Sequence, residues 1–474
     1  MKNAFSEYQD PQTRRTFLSR TSGGLGLAAL GQLLSESAVA SGGGVLPHLH
    51  GLPKAKRVIY LHMSGGPSQL ETFDPKPGLA AWNGKPLPES VRGNQRVTTM
   101  TRSQAEFNVM ASEQAFGRYG QGGLTMNRHF KELPGVADEL CLIRSMHTEP
   151  INHDPAVTFL QSGSPLAGRP SMGSWLSYGL GTANANLPAF VVLLSGGGGQ
   201  PVPSRYWHNG FLPSRHQGVK FQSAGDPVLF LSDPKGMSRQ NRGRTIERIN
   251  ELNRLRYAEV GDPEIEARID AFQLAYRMQA SVPELMDISR ESKSVLKLYG
   301  AEPGKPSFAA NCLLARRLAE SGVRFIQLYD RGWDHHDGIS GAIKNKIGSV
   351  DRASAALIRD LRQRGLLDDT LVIWGGEFGR TTYAQTRSKD FGRDHHPRCF
   401  SLWMAGGGVK PGMTYGATDD FGYNVAENGV HVHDLQATIL HLLGIDHEAL
   451  TYRFKGRDFR LTDVHGRVVR EILA

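Results

Sequence analysis

Histidine and carboxylate side chains recur in this sequence directly after short apolar runs. After residues 57–63 comes Ser64-Gly65-Gly66-Pro67-Ser68, then Glu71 and Asp74. After 140–145 come His147, Thr148, Asn152, His153 and Asp154. After 323–330 comes Trp333-Asp334-His335-His336-Asp337, and after 370–375 comes Gly376-Glu377-Phe378-Gly379-Arg380. Arg393-Asp394-His395-His396 follows, and His431, His433 and Asp434 precede a late apolar segment. Neutral imidazoles together with carboxylates suit Zn, Mn or Fe(II). The chain has three cysteines, too few for an all-thiolate zinc site or a disulfide scaffold. Asp334 and His336, two residues apart, can reach one ion from a single turn. Of the adjacent His395 and His396, one is expected to ligate. Glu377 reads as a ligand, a general base or the ion-pair partner of Arg380. His431 or His433 is either a further ligand or a cap of the last helix.

These groups act together only if the chain folds them to one place. The apolar runs 57–63, 140–145, 189–195, 323–330, 370–375 and 399–405 read as buried strands, each followed by a polar or glycine-rich turn. Residues 307–321, 344–364 and 433–443 carry helical apolar spacing, closed by Gly322, Gly365 and Gly444. Strands alternating with helices predict an α/β/α sandwich with a mostly parallel central sheet. Ligands in such sheets bind outside the carboxyl ends of the strands, where all the groups above would converge. Residues 237–300 are highly charged and helical in pattern, which predicts a helical insertion. Residues 82–123 are rich in Gly, Asn and Gln and read as a long loop.

The 474 residues carry a formal charge of +9 with interspersed signs, 39% hydrophobic residues and 21% charged. That composition is globular. No basic stripe and no GxxxxGK[ST] or GxGxxG loop is present, so nucleic-acid and nucleotide-loop readings are disfavoured. Thr13-Arg14-Arg15-Thr16-Phe17-Leu18-Ser19, a weakly apolar stretch to Leu34 and Ala38-Val39-Ala40 follow the order of a twin-arginine export signal. Residues 1–40 are therefore expected to be removed, and 41–474 to form one periplasmic domain. No later stretch is apolar for long enough to span a bilayer as a helix.

Several segments together resemble the exported family called domain of unknown function 1501, distantly similar to the alkaline phosphatase and sulfatase superfamily. They are Gly65 to Gln69, Phe73 to Lys76, Asn152-His153, Arg277-Met278-Gln279 and Leu313 to Leu318. Trp333 to His336, Gly375 to Thr381 and Gly392 to Pro397 complete the set. The resemblance implies an alkaline phosphatase-like fold, one or two metal ions and a nucleophile at a helix start attacking a phosphate or sulfate ester. On that analogy Asp334, His336 and a histidine of the 395–396 pair are ligands, and Asp74 supplies the carboxylate near the first strand. Thr148 is the first candidate nucleophile, with Ser64 and Ser68 as alternatives and a helix-capping hydroxyl as the bland reading. Two departures stand out. Ser64-Gly65-Gly66 occupies the place where the superfamily carries Asp, and the Cys-x-Pro-Ser-Arg run of formylglycine sulfatases is missing.

The expectation is a periplasmic metal-dependent hydrolase of small anionic phosphate or sulfate esters. Thr148, Glu377 and Arg380 would be catalytic. Asp334, His336, His395, His396 and Asp74 would hold a divalent metal, Zn or Mn first and Ca or Fe as alternatives. His153, Asn152 and Arg393 would contact substrate, with Arg380 or Arg393 neutralising the anion. The alternative is a non-catalytic envelope binding or scaffold protein on the same fold, serving an envelope protein partner.

Overall fold

The structure is a computed structural model describing residues 43–474 apart from 224, 229–232, 234–235 and 386–389. The expected export signal lies outside these residues.

Near-continuous Val, Ile, Leu and aromatic runs can be buried on both faces of a strand, and that is their fate here. The strands that build the site and its sheet are β1 (Arg57–Ser64), β2 (Leu140–His147), β3 (Phe190–Ser195), β4 (Val219–Phe221), β5 (Phe325–Arg331) and β6 (Thr370–Gly375). They continue with β7 (Gly379–Ala384), β8 (Arg393–His396), β9 (Phe400–Ala405), β10 (Met413–Tyr415) and β11 (Val430–His431). The nine-stranded sheet runs β10-β2-β9-β6-β1-β5-β3-β4, with β11 beside β2. All its pairings are parallel except those of β9, which runs antiparallel to both β2 and β6. The central sheet is thus mostly parallel, as expected. The reversal of β9 also matters: its beginning, not its end, lies at the carboxyl edge of the other strands. His395 and His396, four or five residues before it, are delivered to that edge.

Alternation along β1 sends Ile59, Leu61 and Met63 to one core and Val58 and Tyr60 to the other. The first core is covered by helices Phe308–Glu320 and Ile339–Gln363, the second by His153–Ser162, Met172–Leu180 and Val432–Leu442. Helices therefore cover both faces of the sheet. The helix expected from residue 344 starts at Ile339, because Ile339 and Ile343 extend its buried stripe by one turn and Gly338 turns left-handed ahead of it.

The charged segment forms two long helices, Arg239–Val260 and Pro263–Met286, then the shorter Lys293–Tyr299. In the first of these Asn250 is the single buried side chain, so its charges are a solvated face. The second carries Met278 into the first core. Its last turn is held by Arg317, whose guanidinium donates to the carbonyls of Leu285 at 2.7 Å and Glu284 at 3.0 Å. Arg316 is buried and meets Glu291 and Glu320 at 2.6 Å and Asp360 at 3.0 Å. The paired arginines of Leu313 to Leu318 are thus explained by helix docking. The expected loop 82–123 contains a short helix, Glu89–Arg92, and the strand Phe116–Tyr119, which pairs with Leu124–Asn127.

Candidate metal centre

Four side chains meet at the carboxyl edge of the sheet. His153 opens the helix that follows β2, Asp334 and His336 lie on the turn after β5, and His395 sits in β8. Their ligand atoms all lie within 4.8 Å of one another. Asp334 Oδ1 is the focus: His336 Nε2 is 2.8 Å away, His153 Nε2 3.1 Å and His395 Nε2 3.4 Å. The Nε2 atoms of His395 and His336 face each other at 3.1 Å.

The second ring nitrogen of each histidine is already occupied. His153 Nδ1–H donates to Glu377 Oε1 at 2.6 Å, and His395 Nδ1–H to the Ile151 carbonyl at 2.8 Å. His336 Nδ1–H donates to Gln385 Oε1. Those acceptors assign the proton to Nδ1 and leave the Nε2 lone pair on the shared centre. This is the outer arrangement that histidine ligands of a metal ordinarily have. Three imidazoles and one carboxylate fit Zn, Mn or Fe(II).

The chain holds the cluster by close backbone approach. Gly65, at φ +123°, leaves no room for a side chain, since a Cβ would lie 2.7 Å from the Trp333 carbonyl carbon. Gly392 is pressed equally hard on the His336 backbone. Asp330 accepts from Ser195 Oγ at 3.0 Å and Trp333 Nε1 at 3.1 Å, which fixes the turn bearing Asp334 and His336. Gln200 Nε2 donates to Asp334 Oδ2 at 3.0 Å.

Burial would push the Asp334 carboxyl up. The three imidazoles around it and the Arg380 charge outweigh it and hold the pKa far below the carboxylate range. Burial acts the same way on Glu377 and is again outweighed, by His153 and His62, so its pKa is also lowered. His395 is pushed down to about 4, chiefly by burial. The His153 pKa is raised, because the neighbouring Asp334 and Glu377 carboxylates, which favour its charged form, overcome the desolvation.

The other expected residues fall in different places. Glu377 is 1% exposed. It accepts from His153 and from the Gly65 N–H at 3.0 Å, and His62 Nε2 is 3.5 Å away. It thus orients His153 and is not among the four clustered side chains. Arg380 is fully buried. Its guanidinium bonds Asp334 at 2.6 Å and the carbonyls of Gly65, Gly66 and Arg393, so most of its donors are committed within the protein. Arg393 is likewise occupied by Glu71 and the carbonyls of Thr381, Thr382 and Met110. Asp74 lies apart, paired with Lys76 at 3.2 Å and bonded by Thr418. His396 is stacked on Tyr423 and bonds its carbonyl, pointing away from its neighbour because alternate residues of β8 face opposite sides. Thr148 does not cap the helix; Asn152 is the N-cap residue, exposed and without a side-chain capping bond. No Ser or Thr hydroxyl among the described residues bonds any of the four donors. His431 caps the last helix and belongs to a separate stack with His147, His433 and His465.

The sequence reading places His153 against substrate; the structure brings it into the four-residue cluster that could hold a metal. That reading missed His62, Gln200 and Gln385. The one available signal for His62 was a histidine inside an otherwise apolar strand.

A family described as "Protein of unknown function (DUF1501)" matches residues 55–473. No curated protein matches the chain. Among solved structures, the sulfatase PsFucS1 from Pseudoalteromonas sp. is 12% identical, covering 89% of this chain and 71% of its own, with a TM-score of 0.35. The alkaline phosphatase from the Antarctic bacterium TAB5 is 12% identical, covering 82% and 98%, with a TM-score of 0.34. The phosphonate monoester hydrolase SpPMH from Silicibacter pomeroyi is 12% identical, covering 73% and 72%, with a TM-score of 0.32.

Proposed function

The chain belongs to the DUF1501 family, and we propose that this member is an exported hydrolase of phosphate or sulfate esters using one divalent metal ion. The ion is held by His153, Asp334, His336 and His395, with Zn or Mn as the first candidates. The observation that carries the reading is the convergence of three Nε2 lone pairs on one carboxylate, each imidazole locked by an acceptor on its other nitrogen. Two lone pairs facing each other at 3.1 Å repel unless a cation or proton lies between them.

A bound ion would polarise the ester and lower the pKa of a water molecule to near neutrality. The chain's own residues do the rest. Glu377 and the Ile151 carbonyl fix the ring planes, Arg380 holds Asp334 ionised, and Gln200 approaches its other oxygen from the open side. With no hydroxyl bonded to the donor set, the attacking group in this reading is water. Export rests on the twin-arginine pattern at Arg14-Arg15. No described helix is long and apolar enough to cross a membrane.

The test is elemental analysis of the exported protein, purified without chelators or a histidine tag, followed by assays on aryl phosphates, phosphodiesters and aryl sulfates. About one equivalent of metal is expected, lost in the Asp334→Ala/His336→Ala double variant together with turnover. Full metal retention by that variant would overturn the site. The non-catalytic reading is favoured by Ser64-Gly65-Gly66 standing where a carboxylate was expected. Metal without turnover on any ester would select it.

A further inference from the structure

Arg380 and Arg393 are both committed inside the protein, so an anionic ester must find its cationic partners elsewhere. A cavity of about 460 Å³ lies beside the metal centre, lined by Asn94, Gln95, Arg96, Thr148, Ile151 and Arg398, with Glu149 and Pro397 completing its wall. Two of these residues tie it to the centre. The Ile151 carbonyl accepts from His395, and Pro397 follows the His395-His396 pair. Arg96 and Arg398 are exposed, and no ion pair or hydrogen bond occupies either guanidinium among the described residues. Thr148 lines the same wall, buried and with an unpartnered hydroxyl.

Arg96 is held there by its neighbours. Thr98 and Thr101 both donate to Asp394 Oδ2, the residue next to His395, and Gln95 Nε2 donates to Asn424 Oδ1 at 2.5 Å. The long loop is thereby pinned to the strand that carries a metal donor. Glu149 also lines a second cavity of about 750 Å³ with His431, His433, His465, Arg169 and Arg467. Its three carboxylates are already engaged: Glu149 with His431, Asp463 with Arg169, and Asp434 with backbone N–H groups. The two cavities share Glu149 as a wall and together make up an adjoining groove.

We propose that Arg96 and Arg398 recognise substrate anions, and that the substrate is an extended polyanionic ester carrying acidic groups beyond the one that reacts. The inference rests on the metal-hydrolase reading for the reacting group but is tested by binding alone. A free guanidinium in a groove attracts sulfate or phosphate through charge-assisted, two-pronged hydrogen bonds. Small monoesters fill the metal centre and leave the groove empty.

The experiment measures binding of a fluorescent dextran sulfate oligosaccharide, and of neutral dextran of equal length, to the full exported chain. Variants are Arg96→Gln/Arg398→Gln and, as a control on the helical hairpin, Arg248→Gln/Arg254→Gln. The sulfated chain should bind, with the groove variant weaker by about tenfold and less sensitive to salt, and the control unchanged. Equal binding of the two dextrans, or equal loss in groove and control variants, overturns the proposal. Groove-dependent binding without turnover of any ester would retain it while removing the hydrolase reading. Turnover of aryl esters with binding indifferent to Arg96 and Arg398 would do the reverse.

Discussion

The carboxylate of Glu377 is committed before any ion arrives. It is buried between His153, the Gly65 N–H and His62, and its charge sets which nitrogen of His153 keeps the proton. Glu377→Gln preserves volume and an acceptor but removes that charge. Metal affinity should fall by about 10–100-fold, the usual cost of losing an outer partner of a histidine ligand. Competition with a chelator measures it, with circular dichroism as the check on folding, and an unchanged Kd would show that His153 needs no such partner. At this scale the sequence was informative about which side chains converge: Asp334 and His336 on the turn after an apolar run, and His395 just before one, were readable from type and spacing. It could not foresee the surroundings of Arg380 and Arg393, because composition cannot tell a guanidinium facing substrate from one bonded by buried carbonyls. Arg96 was not readable, since its position depends on Thr98 and Thr101 finding Asp394 nearly three hundred residues away.

Elements place these residues, and the joints between them are glycine. At the end of β1 the chain turns so tightly against Trp333-Asp334 that Gly65 sits at φ +123° with backbone where a Cβ would be. Gly65→Ala adds a methyl group in a conformation other residues avoid, at a cost on the order of 2–3 kcal/mol. Because the clash is with the turn bearing Asp334, metal retention should fall along with Tm. Gly197 has nothing within 4 Å of its Cβ position. Gly197→Ala should therefore stay within about 0.5 kcal/mol of the parent. Thermal melts of the two variants with and without added metal compare them. A Gly65→Ala protein that melts like the Gly197→Ala control would refute the tight joint. All six apolar runs were legible as strands, because burial on both faces leaves a continuous hydrophobic signature. The reversed direction of β9 was not, since an apolar run reads the same whichever way it lies in the sheet. Direction was set instead by the short return through β7 and β8, which are too polar to announce themselves.

For the whole molecule, two cores press on one sheet, and their buried histidines link stability to pH. His216 lies outside the metal centre and is 3% exposed. It is satisfied as a neutral ring: Nδ1–H donates to Ser177 Oγ at 3.0 Å, and Nε2 accepts from Arg215 Nε at 3.3 Å. Burial first, and the Arg215 charge second, push its pKa from the ordinary 6.5 down to about 3. Between those values the unfolded chain binds a proton that the folded one refuses. Folding stability therefore falls as pH drops through that window, by up to about 1.4 kcal/mol per pH unit, and this contribution is complete above pH 6.5. His216→Gln removes the titrating group while keeping a donor and an acceptor. Urea unfolding of the chelated protein at steps between pH 7 and pH 4 should give the parent a steeper decline than the variant, with the two curves closest at the acid end. Parallel curves would mean that His216 titrates alike in both states, and that the cavity of about 810 Å³ it lines beside the helical hairpin admits enough water to hydrate the charged ring. The sign of the difference also tests the packing of that hairpin, because Asp270, Leu274 and Met278 from it wall the same cavity and help keep the imidazole dry.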